Sequence, residues 1–69
     1  MEIKWFEDSA ISVQITDGGA LIRANRGGLL SLAGILTRLS EEQPGSHVHL
    51  DAYNSLEDGS SELILERAE

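Results

Sequence analysis

His47-Val48-His49-Leu50-Asp51 is the stretch whose residue types and spacing come closest to chemistry. In a strand, alternation sets both imidazoles and the carboxylate in one row, with neighbours about 6–7 Å apart. Such a row can hold zinc, which takes histidine nitrogen and carboxylate oxygen and leaves a position for water. Glu62 or Glu66 would supply a further ligand. The competing reading is a polar outer face on which a carboxylate stabilises His49. The sequence favours that second reading, because no cysteine, no third histidine and no H-E-x-x-H helix accompany the pair. A small metal-binding protein or metal-dependent enzyme using His47 and His49 with a carboxylate therefore stands as the alternative.

Other catalytic patterns are weaker. Serine, histidine and aspartate are all present, but no G-x-S-x-G elbow occurs. Neither Gly18-Gly19 nor Gly27-Gly28 is followed by the G-K-[ST] of a phosphate loop. Glu57-Asp58 precedes a glycine, where turn formation accounts for the pair. The residues point to a binding protein rather than an enzyme, and they imply no cofactor.

Charge is divided unevenly along the chain. Residues 1–40 balance Glu2, Glu7, Asp8 and Asp17 against Lys4, Arg23, Arg26 and Arg38. Residues 41–69 set eight acids against Arg67 alone, so the whole net charge of −7 belongs to that part. Such a field repels nucleic acid and anionic membrane and attracts a basic protein. The same charge also serves solubility. No apolar run is long enough to span a bilayer, and the N-terminus lacks a signal-peptide plan, so a cytoplasmic protein is expected. The 69 residues are expected to form one domain with a modest core.

The elements that must position these groups follow from periodicity. Asn25 to Glu42 is the one long helical pattern, with Leu29, Leu32, Ala33, Leu36 and Leu39 in a stripe and Leu30 and Ile35 at its margins. Ser31, Gly34 and Arg38 fall on the opposite side. Asn25 is placed to cap the helix and Pro44-Gly45 to stop it. Gly27, Gly28 and Gly34 weaken it, each by about 0.5–1 kcal/mol relative to alanine. Glu2 to Phe6, Ile11 to Thr16 and Ala20 to Ala24 read as strands, with turns at Asp8-Ser9 and Asp17-Gly18-Gly19. Trp5 and Phe6 point to opposite sides of the first strand. Parity with Ile3 favours Trp5 for the core and leaves Phe6 as a candidate anchor for a partner.

His47 to Tyr53 and Glu62 to Arg67 read as the last two strands. A long loop from Asn54 to Ser61 sets His49 opposite Glu66 and Tyr53 opposite Glu62, and avoids facing Asp51 with Glu66. The fold class expected is α+β: β-β-β-α-β-β, a single antiparallel sheet with one helix packed on one face. The uncovered face would carry Ser12, Gln14, Thr16, His47, His49, Asp51, Glu62, Ile64 and Glu66. A bare face or strand edge could also pair across a two-fold axis, giving a homodimer.

N-R-x-G-L-L-S-L-A across Asn25 to Ala33, and P-G-S-H-V-H-L-D-A-Y-N-S-L-E-D-G-S-S-E-L-I-L-E across Pro44 to Glu66, resemble immunity protein family thirty-two of bacterial polymorphic-toxin systems. The H-x-H-L-D-x-Y-N-x-L-E segment with the following G-S-x-E-L-I is the specific part. Gly27 departs from the pattern, standing where a charged residue is expected, and so does Gly34 inside the helix. The resemblance implies a small cytoplasmic protein that protects its producer by binding a cognate toxin, in a toxin–antitoxin-like arrangement. Joined to the charge distribution, it makes the partner a basic toxin. The binding side is then His47, His49, Asp51, Tyr53, Glu57, Asp58, Glu62 and Glu66. From the helix stripe, Leu36→Ala is expected to cost about 2–5 kcal/mol in a denaturation experiment and Leu30→Ala far less.

Overall fold

The computed structural model describes residues 2–69 and runs β1 (Ile11–Thr16), β2 (Gly19–Ala24), α1 (Arg26–Ser40), β3 (His47–Leu50) and β4 (Leu63–Glu66). β1 and β2 form an antiparallel hairpin in which Thr16 faces Gly19 and Ile11 faces Ala24. The turn between them needs Gly18 at φ 80°, a conformation that glycine adopts without strain. β3 and β4 form a second antiparallel pair.

The α+β class holds, but the single sheet does not. The described residues contain two two-stranded sheets, and Glu2 to Phe6 forms no strand. The reason lies in where the backbone groups go. The free edge of β1 is met by the irregular stretch that leads into β4. Glu57 N–H donates to Ile11 C=O and Ser61 N–H to Val13 C=O, both at 2.8 Å. The Ser60 hydroxyl takes the Val13 N–H at 3.1 Å, where a neighbouring strand would offer a carbonyl. The N-terminal segment is held instead by the helix, because Phe6 N–H donates to Ser31 Oγ at 2.9 Å. The turn there falls at Glu7–Asp8, with Asp8 at φ 58°.

The helix begins as its sequence dictates. Asn25 Oδ1 accepts Gly28 N–H at 2.7 Å, which satisfies one of the free donors of the first turn. The same oxygen accepts Ala10 N–H at 3.1 Å, and Asn25 Nδ2 donates to Asp8 C=O at 2.6 Å. One side chain thus caps the helix and ties the turn before β1 to it.

The face that the helix buries differs from the expected stripe. Gly28, Ser31, Leu32, Ile35 and Leu39 are buried, whereas Leu29 and Leu36 are 55% and 52% exposed. At 100° per residue the buried face is turned about 80° from the leucine stripe. Close approach at the glycines sets this rotation. A Cβ on Gly28 would lie 2.5 Å from Ala10 O, and one on Gly27 would lie 2.7 Å from Glu7 O. Ser31 then sits against the N-terminal segment with no exposed surface, its hydroxyl donating to Gly27 C=O at 2.8 Å while accepting Phe6 N–H. A buried polar group with its bonds made costs little.

Ile35 and Leu32 meet Ile11 and Val13 of β1, Leu50 of β3 and Leu56 of the following loop, with Ile3, Val48, Leu63 and Leu65 packed around them. Both sheets therefore share one core beneath one helix. The thickness of 19 Å is that of two layers, which leaves the far side of the strands in water.

These contacts reverse the expectation for Leu36. Ile35→Ala should cost about 2–5 kcal/mol in urea unfolding, whereas Leu36→Ala should cost less than about 1 kcal/mol. The glycines should separate as well. Gly34, with nothing within 4 Å of a Cβ, should gain about 0.5–1 kcal/mol as alanine. Gly28→Ala should destabilise by more than about 1 kcal/mol. Equal effects at the two glycines would contradict the packing described.

Candidate functional site

The segment Pro44 to Glu66 carries all eight residues expected on the binding side. Gly45 N–H donates to Arg67 C=O and Arg67 N–H to Ser46 C=O, each at 2.8 Å, so the chain is paired before β3 begins. Val48 and Leu50 then face Leu65 and Leu63 on the core side. Alternation turns His47, His49, Ile64 and Glu66 outward. The parity expected of this hairpin is observed, but its register is shifted by two residues. His47, not His49, lies opposite Glu66, and His49 lies opposite Ile64.

Asp51 causes the shift by ending the strand early. Its Oδ1 accepts the N–H groups of Tyr53 and Asn54 at 2.9 and 3.0 Å, and its carbonyl accepts those of Ser55 and Leu56. An aspartate that captures backbone donors in this way makes a turn where the strand was expected to continue. Tyr53 is thereby lifted off the sheet and is 99% exposed. Leu56 brings the chain back into the core, and from there Glu57 N–H reaches β1. Glu57 and Asp58 follow on the exposed side of that anchor.

The eight residues expected on the binding side are thus placed unequally. His47, His49, Glu62 and Glu66 lie along β3 and β4 and at their ends, while Tyr53, Glu57 and Asp58 project from the loop. Asp51 is partly buried, and its carboxylate is engaged in holding the loop. His49 Nδ1 is 3.1 Å from Glu62 Oε2, in a pair with both side chains about half exposed. His47 Nδ1 lies 3.1 Å from Gly45 C=O. A carbonyl only accepts, so the bond assigns the proton to that nitrogen. The two rings meet edge to face, with centroids 5.0 Å apart.

Among the described residues His49–Glu62 is the one contact between a carboxylate and a basic side chain, so the other carboxylates of this half have no basic side chain against them. No group of three or more His, Asp or Glu side chains among the described residues is placed to hold a metal ion. The hollows nearby are open grooves. One of about 500 Å³ is lined by Leu39, Glu42, Pro44, Gly45, Ser46, His47 and Val48; Ser46 precedes His47 there, but His47 Nδ1 is bonded to Gly45 C=O and no hydrogen bond joins the ring to the Ser46 hydroxyl.

Sequence reasoning missed two features of this region. Leu56 is core, although its surroundings Asn54-Ser55-Leu56-Glu57 read as loop. Trp5 is not a core residue: Trp5 and Phe6 are 41% and 40% exposed and line a groove with Asn54 and Ser55. With no first strand, the alternation that assigned them sides does not exist. Ile3 alone of that segment packs against the core.

Asp51→Ala should lower stability by about 1–2 kcal/mol, because two backbone donors lose a charged acceptor. His49→Ala should change it by less than about 1 kcal/mol, as for other exposed pairs. Calorimetric titration with zinc should give no tight one-to-one isotherm. Tight binding abolished by His49→Ala would restore the metal reading.

The family model described as Immunity protein 32 matches residues 20–68, from the second residue of β2 to two residues beyond β4. No curated protein and no solved structure matches the chain. The matched span contains the Asn25 cap, the glycines and buried serine of the helix, and the whole β3–loop–β4 surface. This chain belongs to the immunity protein 32 family.

Proposed function

We propose that the chain neutralises a cognate bacterial toxin of basic surface by binding it through the β3–loop–β4 side, in the cytoplasm of the cell that makes the toxin. Family membership supplies the class of function. The observation that carries the finer reading is the segregation of charge. Eight carboxylates and one arginine fall in residues 41–69, and one carboxylate alone is paired, with His49. Uncompensated like charge on one side weakens a small fold through self-repulsion. A basic partner relieves that repulsion and is steered toward it during diffusion.

Within this surface the residues divide by role. Glu57, Asp58, Glu62 and Glu66 supply the attracting field. Tyr53 is the anchor, since a fully exposed tyrosine offers large contact area with few rotatable bonds. His47 and His49 supply polar contacts from the outward side of β3, and Asp51 fixes the loop in the presented conformation. The action is stoichiometric occlusion of the toxin, without catalysis or a cofactor.

The test is association kinetics with the cognate toxin. Glu57→Lys with Asp58→Lys should slow association at low salt by about tenfold and flatten its dependence on ionic strength. Dissociation should change less. Unchanged association at low salt would refute the acidic-surface reading while leaving family membership intact.

A further inference from the structure

The β1–β2 hairpin carries an edge that lies outside the β3–loop–β4 side proposed above for the toxin. β1 is flanked on one side by β2 and on the other by Glu57–Ser61, but among the described residues β2 has a strand neighbour on one side only. Asn25 N–H donates to Ala10 C=O, so residue 25 is bonded toward β1. By antiparallel alternation Arg23, Leu21 and Gly19 also bond inward. The N–H and C=O groups of Ala20, Ile22 and Ala24 then point away from β1, and among the described residues none has a backbone partner. Native edges are usually blunted by a proline, a bulge or an inward charge. Here Gly19–Ala24 has no proline and pairs with β1 without interruption. Apolar side chains surround it: Ile15 is 62% exposed, Leu21 49% and Ile22 43%.

We infer that this edge pairs with the same edge of a second copy, antiparallel across a two-fold axis at Ile22, to join two hairpins into one four-stranded sheet. Two observations select a second copy as the occupant. The first is self-complementarity. In Ala20-Leu21-Ile22-Arg23-Ala24, pairing about Ile22 sets Ala20 opposite the partner's Ala24 and Ile22 opposite the partner's Ile22. Those residues share the side of the hairpin that carries Val13, since Val13 faces Ile22 and Ile15 faces Ala20. The small alanines leave room for the two isoleucines. On the other side Leu21 meets the aliphatic stem of the partner's Arg23. All outward N–H and C=O groups of the three residues are bonded in this register.

The second observation is charge. Residues 11–26 hold Asp17, Arg23 and Arg26, so two hairpins meet without strong repulsion. The β3 edge lies in the half that carries −7, where a second copy is repelled. Self-association is thereby directed to the hairpin, and the acidic surface stays free. One strand per copy is a small contact beside the roughly 1,200–2,000 Å² of a standard interface, so the dimer separates on dilution.

Sedimentation velocity across a concentration series, with hydrogen exchange on the same samples, tests this without the toxin. The wild-type chain should shift from monomer toward dimer with rising concentration. The amides of Ala20, Ile22 and Ala24 should slow together over that range. Ile22→Lys, at a half-exposed position, should keep the thermal unfolding of the monomer and abolish the shift. Three results overturn the proposal: a monomer at every concentration, a dimer in which those three amides still exchange freely, or an Ile22→Lys protein that folds and still dimerises. Should Ile22→Lys fail to fold, the wild-type exchange series decides alone.

Discussion

The arrangement depends on how closely the first turn of the helix approaches the backbone before β1. Asn25 bonds simultaneously to the helix start, to Asp8 and to Ala10, and Gly27 and Gly28 leave no side chain in between. The restriction is steric before it is energetic, since a single Cβ at Gly28 would overlap a carbonyl oxygen. Glycines that look like defects in an isolated helix are therefore the condition for docking it. Their unfavourable propensity is offset by the burial of Ile35, Leu32 and Leu39 that the approach allows. The family pattern N-R-x-G-L-L-S-L gains a physical meaning from this: cap, close contact, buried serine and core leucine all lie on the docking side.

From that contact the remaining departures follow. A helix turned by its glycines presents Ser31 to the N-terminal segment, and the serine hydroxyl takes the Phe6 N–H. The segment then runs as an extended loop instead of a strand. β1 keeps a free edge that the Glu57–Ser61 stretch occupies, with a serine hydroxyl in place of a strand carbonyl. Leu56 secures that stretch in the core. The loop with the acidic pair is thus fixed at both ends, by Asp51 before it and by β1 after it. A surface held in this way loses little conformational entropy on binding.

Much of the fold was readable from local chemistry. β1, the Asp17-Gly18 turn and the Asn25 cap are determined by residues adjacent in sequence, and they are found where alternation and capping rules put them. The sidedness of β3 and β4 was readable too, since parity survives any even shift. The register was not, because the Asp51 turn competes with strand extension and only the folded loop decides between them. The helix face was misread for a definite reason. Apolarity ranks leucine over glycine and serine, but packing responds to available space, and space is decided by contacts distant in sequence. Of the proposed binding side, the exposure of the histidines and of the glutamates was foreseeable, whereas the structural duty of Asp51 and the projection of Tyr53 were not.

The chain sets a weakly charged hairpin apart from a C-terminal part that carries the whole net negative charge. The central claim is that the toxin sits on the acidic side. Hydrogen exchange of this chain with and without its cognate toxin tests that claim most directly. The account predicts slowed exchange between His47 and Glu66, with the amides of β2 and of the Leu29–Leu36 flank of the helix unchanged. Slowing confined to that flank or to β2, with the β3–loop–β4 segment unaffected, would contradict it.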